Sequence, residues 1–345
     1  KDYSLASIKI TNMLVYKYRG GSFERDLQSL ERDQFWASHT QQLNDPCEGL
    51  ISVQNYEKEL QTLKLIFPQH ANSTQVLHQS FQNIIDMKDQ KLGIFSLSKS
   101  FTDELLWAHY ANSHQGFCIE YELEKLLKNQ RPAHRYFDVS YITNIPNLSF
   151  KHIISQKDEN LLIKTMLGYK SKRWEYENEI RIITENYGLQ NYDYRAIKSI
   201  YFGLKMSNDQ IEEMMKLLQG RQIKYFHMHL KANSFEFEAK PINDNYPTTQ
   251  KYKYSIAPMA EELSSFTISK EGYEKFSPYL QKMAEIVRRE PDCYEVTYVD
   301  LNFSKSTLDH PIFFAQYKTQ ESGLPITLHY SLEQIDEAFK QIDDL

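Results

Sequence analysis

The sequence predicts an α+β fold: a mixed domain of short strands and helices around a cleft, followed by a small C-terminal α+β domain. Two observations predict the first domain. Short β-branched and aromatic runs alternate with amphipathic helical segments. A regular βαβ repeat, which would predict a parallel sheet, is absent. A third observation predicts the boundary, because the polar segment 240–250 has the Pro, Asn and Thr content of a linker. We therefore expect domains over 1–240 and 251–345.

The first block is predicted to contain many short elements. β-Branched and aromatic runs predict strands over 13–18, 34–38, 93–98, 117–121, 136–142, 174–184, 197–202, 222–230 and 234–239. Apolar residues at helical spacing, with suitable capping residues at several starts, predict helices over 22–32, 53–66, 72–89, 123–129, 159–172 and 207–219. A further helix is predicted to end at Gly116.

The second block has its own set of elements. Its patterns predict helices over 258–266, 272–289 and 331–345, and strands over 294–303, 311–317 and 325–329. About a hundred residues are just enough to enclose a separate hydrophobic core. No cluster of residues in this block indicates catalysis.

Composition excludes several classes of protein. The net charge of −6 over 345 residues argues against broad binding of nucleic acid or anionic membranes. Cys47, Cys118 and Cys293 have no CxxC spacing, so they predict neither a disulfide framework nor a zinc site. No apolar run approaches membrane-spanning length, and the first residues lack a signal-peptide pattern. We expect a cytoplasmic protein without a membrane partner.

The segment before Gly116 has an unusual predicted helix face. If it is helical, Trp107, Tyr110 and His114 share one face, where an ordinary core helix would carry Leu, Ile and Val. The following strand would place these polar tips in the wall of a pocket. The alternative is a core helix whose Tyr and His side chains hydrogen-bond to nearby backbone.

The second unusual segment is acidic. Read as a strand, residues 174–184 place Glu175, Glu177, Glu179 and Arg181 on one face. Neighbouring carboxylates repel one another unless a cation or a positively charged ligand relieves them. One interpretation is a salt bridge between Glu179 and Arg181 with Glu177 in solvent. The other directs the carboxylates into a pocket, where they stabilise a sugar cation and activate a nucleophile.

Five segments, in this order, resemble DUF2971, a bacterial family of unknown function. They are 14–19 (LVYKYR), 36–46 (WASHTQQLNDP), 95–98 (FSLS), 107–116 (WAHYANSHQG) and 174–181 (WEYENEIR). The resemblance covers about residues 14–205 and does not include the C-terminal block. Because the family has no known mechanism, the function has to be inferred from the segments.

The same segments are similar to ADP-ribosyltransferases of the Arg-Ser-Glu type. The similar motifs are YRG at 18–20, FSLS at 95–98 and ENE at 177–179. The likeness implies NAD as a substrate, with Arg19 binding its pyrophosphate and Ser96 and Ser98 near the nicotinamide ribose. It implies that Glu179 stabilises the oxocarbenium ion while Glu177 positions the acceptor.

The likeness also suggests roles for the aromatic helix face. Tyr110 or Trp107 would stack on the nicotinamide ring, and His114 lies on the same predicted face. The predicted reaction is ADP-ribosyl transfer, or NAD glycohydrolysis when water is the acceptor. The macromolecular acceptor is left open.

Two other functions remain as alternatives. A metal-dependent nuclease could use oxygen and nitrogen ligands from Asp45, Glu48, His109, His114 and the acidic strand. However, no tight ligand motif occurs, since the two histidines are five residues apart, and no metal site is predicted. The second alternative is a non-enzymatic module that senses a nucleotide through the aromatic pocket. Cys118, between Phe117 and Ile119, is predicted to be a structural thiol.

Overall fold

The computed structural model describes residues 13–128, 135–154, 160–260 and 272–342. The chain divides into two compact units, Lys1–Thr248 and Thr249–Leu345, and the division falls inside the predicted linker. Both units combine helices and strands, so the predicted α+β class is confirmed.

The first unit contains twelve strands and eight α-helices among its described residues. The strands are β1 (Leu14–Arg19), β2 (Gln34–Ala37), β3 (Gly93–Ser98), β4 (Phe117–Glu122), β5 (Arg135–Asp138), β6 (Ser140–Ile142), β7 (Tyr169–Ser171), β8 (Glu179–Thr184), β9 (Gly188–Asn191), β10 (Ile197–Phe202), β11 (Lys224–Leu230) and β12 (Phe237–Ile242). The helices are α1 (Phe23–Glu31), α2 (Gln54–Ile66), α3 (Ala71–Gln90), α4 (Glu104–Tyr110), α5 (Leu123–Lys128), α6 (Phe150–Ile154), α7 (Leu161–Leu167) and α8 (Asn208–Leu217).

Eight strands form one sheet that is split near its middle. Their order is β12-β11-β10-β4-β1-β3-β8-β5. β1 pairs with β4 through six residues, and β3 pairs with β8 through six. Between the described residues of β1 and β3, by contrast, the only paired positions are Tyr16 and Ser98. The two halves of the sheet therefore separate beyond this pair.

The two faces of the sheet carry different side chains because successive strand residues point in opposite directions. Phe95 of β3 and Ile180 of β8 enter the main core, together with Leu27 of α1 and Met214 of α8. A smaller cluster on the other face includes Tyr18 of β1 and Cys118 of β4. Cys118 is buried, as predicted for a structural thiol.

The second unit is built around a three-stranded antiparallel sheet. Its elements are α9 (Ser277–Val287), β13 (Glu295–Leu301), β14 (Ile312–Lys318), β15 (Ile326–Ser331) and α10 (Leu332–Phe339). Leu280, Phe313 and Ile335 lie in its core. The predicted helix over 272–289 begins as α-helix only at Ser277, preceded by the 3-10 turn Glu274–Phe276. Of the predicted helix 258–266, residues 261–266 lie outside the described residues, and Met259 forms a strand-like bridge to Val296.

The strand predicted over 174–184 is wrong in its first half. Lys172–Glu177 is a 3-10 helix, Asn178 has left-handed backbone angles (φ 42°, ψ 53°), and β8 begins only at Glu179. Asn adopts this conformation more readily than most residues. Glu175 and Glu177 therefore do not share a strand face with Glu179.

The helix predicted to end at Gly116 ends earlier, at Tyr110. Asn112, Ser113 and His114 all have positive φ angles, of 47°, 53° and 70°. His114 consequently does not continue the face of α4, and the predicted helix face carrying Trp107, Tyr110 and His114 is wrong in its last member.

Candidate functional site

A cavity of about 740 Å³ lies where β1 and β3 separate. This volume is within the usual range of small-molecule sites, roughly 300–1,000 Å³. β1, α1, β3, α4 and the start of β8 all contribute to its walls. The cavity brings together six of the eight predicted site residues: Arg19, Ser96, Ser98, Tyr110, Glu177 and Glu179.

The other two predicted residues lie outside this lining. Trp107 is completely buried, and its indole nitrogen donates a hydrogen bond of 2.7 Å to the carbonyl of Phe101. The His114 ring lies 5.4 Å from Phe237 and 6.5 Å from Trp107, measured between ring centroids. The burial of Trp107 therefore contradicts the prediction that its ring stacks on a ligand. For this residue the core-helix alternative describes the structure.

Close backbone packing fixes the end of β1 at the cavity. A Cβ atom on Gly20 would lie 2.6 Å from the backbone nitrogen of Asn112, and one on Gly116 would overlap the carbonyl oxygen of Arg19. These two contacts require glycine and hold the end of β1 against the turn after α4. They fix the backbone of Arg19 at the edge of the cavity that its side chain lines.

One wall of the cavity belongs to a buried set of charges that we call the acid cluster. Its members are Glu48, Lys170, Glu177 and Glu179, which line the cavity, and Arg181, which is completely buried. The Lys170 ammonium lies 2.9 Å from Glu48, 2.5 Å from Glu177 and 3.3 Å from Glu179. Arg181 lies 2.6 Å from Glu48 and 2.7 Å from Glu179. All five side chains are less than a tenth exposed. Three carboxylates and two cations give the cluster a formal charge of −1.

The salt-bridge interpretation of the acidic segment therefore needs correction, whereas Glu177 and Glu179 both line the cavity, as the pocket interpretation predicts. The salt bridge between Glu179 and Arg181 exists, and both of its side chains are buried. Glu177 is 5% exposed and is not a solvated residue. Its carboxylate accepts a hydrogen bond of 2.6 Å from the Tyr110 hydroxyl.

The two carboxylates of the ENE motif differ in their ionisation. Burial opposes the ionisation of Glu179, but the charges of Arg181 and Lys170 outweigh it and lower its pKa to about 2. For Glu177 burial dominates, so its pKa is raised above the usual value although Lys170 and Tyr110 oppose the shift. Glu179 is thus a fixed anion, and Glu177 is the carboxylate that more readily takes up a proton.

Lys17, which the sequence analysis did not select, lies in the split of the sheet. Its ammonium donates a hydrogen bond of 2.7 Å to the carbonyl of Ser96, and it lies 4.9 Å from the centre of the Phe95 ring. Among the described residues, no carboxylate lies within 4.0 Å of it. Burial, reinforced by the charge of Arg19, lowers the pKa of Lys17 to about 7. Its position two residues before Arg19 was the available sequence signal.

The wall that includes Lys17 is cationic. We call its members Lys17, Arg19, Arg25 and Arg32 the cationic wall, because all four line the cavity from β1 or from α1 and its end. The carboxylate of Asp26 also lines this wall, 4.0 Å from the guanidinium of Arg19. The cavity therefore has an excess of positive charge on one wall and the acid cluster on another.

The residues considered for a metal site do not form a cluster of ligands in the described part of the chain. The described part of the chain has no group of three or more His, Cys, Asp or Glu residues that could hold a metal ion. Asp45 accepts a hydrogen bond from the backbone of Cys47, whereas Glu48 is paired with Lys170 and Arg181. The ring of His109 lies edge-on to Tyr110.

Comparison with known proteins supports the family resemblance over part of the chain. The model of a family described as "Protein of unknown function (DUF2971)" matches residues 106–182. This segment contains Tyr110, Lys170 and both carboxylates of the ENE motif. No curated protein and no solved structure matches the chain. Among the described residues, none of the helices has the length and apolar character needed to cross a membrane.

Proposed function

We propose that the cavity binds NAD⁺ and cleaves the bond between its nicotinamide and ribose, transferring ADP-ribose to an acceptor or to water. The observation that carries this proposal is the opposite charge of the two walls of one cavity. NAD⁺ carries the complementary charges: its pyrophosphate is anionic and its pyridinium ring is cationic. Complementary charge favours a single orientation of the bound ligand.

Within the cationic wall, Lys17 and Arg19 would hold the pyrophosphate. The planar guanidinium of Arg19 can donate two hydrogen bonds to phosphate oxygens. Its ion pair with Asp26 is 4.0 Å long, so the guanidinium retains donors for a ligand. The Lys17 amine lies in the same wall and would be fully protonated beside a phosphate, because a nearby anion favours the charged form.

The acid cluster would act at the ribose. As the glycosidic bond breaks, its electron pair moves to the ring nitrogen and leaves neutral nicotinamide, while positive charge develops on the ribose. Glu179 is already anionic and held by Arg181 and Lys170, so it can stabilise this charge without reorganisation. The hydroxyl or amine of the acceptor attacks the ribose carbon, and its proton passes to Glu177 as general base.

The test is the release of nicotinamide from NAD⁺, measured by chromatography, for the wild type, Glu179→Gln and Glu48→Gln. Both variants remove a carboxylate that pairs with the same two cations, Lys170 and Arg181. We expect similar losses of thermal stability. In Glu179→Gln the rate should fall on the order of 10² to 10³, as for loss of one preorganised catalytic group. The fold-decrease in rate caused by Glu48→Gln should be at least about ten times smaller than that caused by Glu179→Gln.

Two outcomes would overturn this proposal. One is no release of nicotinamide by the wild type, with water or with protein and nucleic-acid acceptors from a lysate. The other is an equal loss of rate in both variants at a temperature where both are folded, since the charge of Glu179 would then have no separate role.

One observation favours a second candidate, a module that binds NAD⁺ without chemistry. All three carboxylates of the acid cluster are paired with Lys170 or Arg181. Such a module would be stabilised against heat by NAD⁺ and would release no nicotinamide. The same assay, combined with thermal unfolding in the presence of NAD⁺, separates the two candidates.

A further inference from the structure

One face of α1 is directed to the cavity. Arg25, Gln28 and Ser29 of α1 line it together with Arg32, the C-cap residue that follows the helix. The last three lie three, four and seven residues after Arg25, which is the repeat of a single helix face. Arg25 and Arg32 are exposed. Among the described residues, no carboxylate lies within 4.0 Å of either guanidinium. The helix and its C-terminal end therefore present to the cavity two exposed guanidiniums that have no ion pair among the described residues.

The charge of this face exceeds what a pyrophosphate needs. The two negative charges of a pyrophosphate diester are balanced by Lys17 and Arg19. Arg25 and Arg32 add two further positive charges, and the one carboxylate that lines this wall, Asp26, is 4% exposed and lies beside Arg19. With Asp26 counted, one positive charge of the wall is left over. A phosphomonoester has a second pKa near 6 and so carries about −1.5 to −2 charges at pH 7, enough to neutralise this surplus.

The positions of the side chains suit one additional anion. Arg25 and Arg32 are seven residues apart, about 10 Å along the helix axis, a distance that two long side chains can close around one phosphate. The Arg25 guanidinium lies near Gly21, 3.3 Å from where its Cβ would be, and so is close to the end of β1 that carries Arg19. The Ser29 hydroxyl donates its hydrogen bond to the Arg25 carbonyl, so its proton is not directed to a ligand. The side-chain amide of Gln28, which also lines the cavity, is the further donor on this face.

We propose that this face of α1 binds a third phosphate on the nucleotide, a phosphomonoester such as the 2′-phosphate of NADP, so that the cavity prefers NADP-type over NAD-type ligands. The inference rests on the proposed function and specifies the substrate class of the same site. Guanidiniums suit a phosphomonoester because they form paired hydrogen bonds with its oxygens.

Calorimetry with ADP-ribose and with 2′-phospho-ADP-ribose tests this proposal, because neither ligand can release nicotinamide. We expect the wild type to bind the phosphorylated ligand at least tenfold more tightly, with a preference that decreases as salt is raised. The double variant Arg25→Gln/Arg32→Gln should lose this preference and bind ADP-ribose within about threefold of the wild type. Each single variant should lose part of the preference, which keeps the test available if the double variant is unstable.

A charge-matched control separates a local effect from a change in net charge. Lys58 and Lys64 are exposed on α2 and do not line the cavity. Lys58→Gln/Lys64→Gln removes the same two charges and should keep the tenfold preference.

The outcomes distinguish the two proposals. Equal affinity of the wild type for both ligands, or an unchanged preference in Arg25→Gln/Arg32→Gln, would overturn the third-phosphate proposal and leave NAD⁺ cleavage standing. Failure to bind either ligand, together with no nicotinamide release from NAD⁺ or NADP⁺, would overturn both.

Discussion

Lys17 and Lys170 line the same cavity, yet their surroundings shift their pKa values in opposite directions. For Lys170 burial is outweighed by the charges of Glu179, Glu48 and Glu177, and its pKa is raised. For Lys17 burial dominates and its pKa falls to about 7. The protein thus neutralises most of the charge on the acidic wall, whereas the cationic wall lacks matching carboxylates and is suited to an anionic ligand.

The burial of Lys17 without a carboxylate partner among the described residues lowers the stability of the folded protein. A lysine that is desolvated without an anionic partner destabilises the folded state. Such a residue is retained more readily at a binding site than elsewhere, because the ligand supplies the missing charge. The four predictions below test this contrast.

Replacing each lysine with methionine is expected to give opposite changes in stability. In Lys170→Met, three buried carboxylates keep only Arg181 as a cation, so the free energy of unfolding should fall by about 3–5 kcal/mol. In Lys17→Met, a desolvated cation is removed, so stability should be unchanged or higher. Urea unfolding at pH 7 measures both. Equal destabilisation of the two variants would contradict the contrast.

Tyr110→Phe is expected to have a smaller effect. It removes a hydrogen bond of 2.6 Å to the Glu177 carboxylate, and hydrogen bonds to charged groups contribute about 1.5–3 kcal/mol. Losing this donor should also raise the pKa of Glu177, so the acid limb of the rate profile should move to higher pH. Tyr56→Phe is the matched control, because among the described residues the buried Tyr56 hydroxyl has no hydrogen-bond partner. It should cost little stability and leave the profile unchanged.

The pKa of Lys17 predicts how its contribution to stability depends on pH. Below about pH 7 the ammonium is present in the folded and the unfolded state, so the full cost of its burial applies. Between about pH 7 and its ordinary value of 10.5, the unfolded chain keeps a proton that the folded protein has lost. Stability should therefore rise with pH in this window, by at most about 1.4 kcal/mol per pH unit.

The measurement is the difference in the free energy of unfolding between the wild type and Lys17→Met, at several pH values from 6 to 10. The difference should increase in favour of the wild type as pH rises, since the variant lacks the titrating group. A difference that is constant with pH would show that the folded protein does not depress the pKa of Lys17.

Periodic patterns made much of the fold predictable. The strand predicted over 197–202 coincides with β10. The helix predicted over 22–32 is one residue longer than α1 at each end, and the helix predicted over 53–66 is one residue longer than α2 at its start only. In the two helices apolar residues recur with the period of a helix, and β10 is rich in β-branched and aromatic residues. Their own residues therefore contain the information.

The errors arose where distant backbone or charge determines the structure. The left-handed run 112–114 packs against Gly20, so its conformation depends on a strand more than ninety residues earlier in the chain. Glu48 and Arg181 form an ion pair across 133 residues. No spacing rule links such positions. Six predicted site residues line the cavity, and the pairing of Glu179 with Arg181 was one interpretation of the sequence, but Lys170, which lies near all three carboxylates, is found only in the folded structure.

The central claim is that the cavity matches a ligand with an anionic centre and a cationic ring, and one comparison of affinities tests it most directly. Two analogues in which a methylene replaces the oxygen of the nicotinamide ribose resist cleavage, and they differ in whether the ring is the pyridinium or the neutral dihydropyridine. Opposite charges about 8 Å apart, at an effective dielectric constant of about 20, attract by about 2 kcal/mol. Calorimetry should therefore show that the pyridinium form binds at least about tenfold more tightly. Equal affinities, or no binding of either form, would contradict the claim.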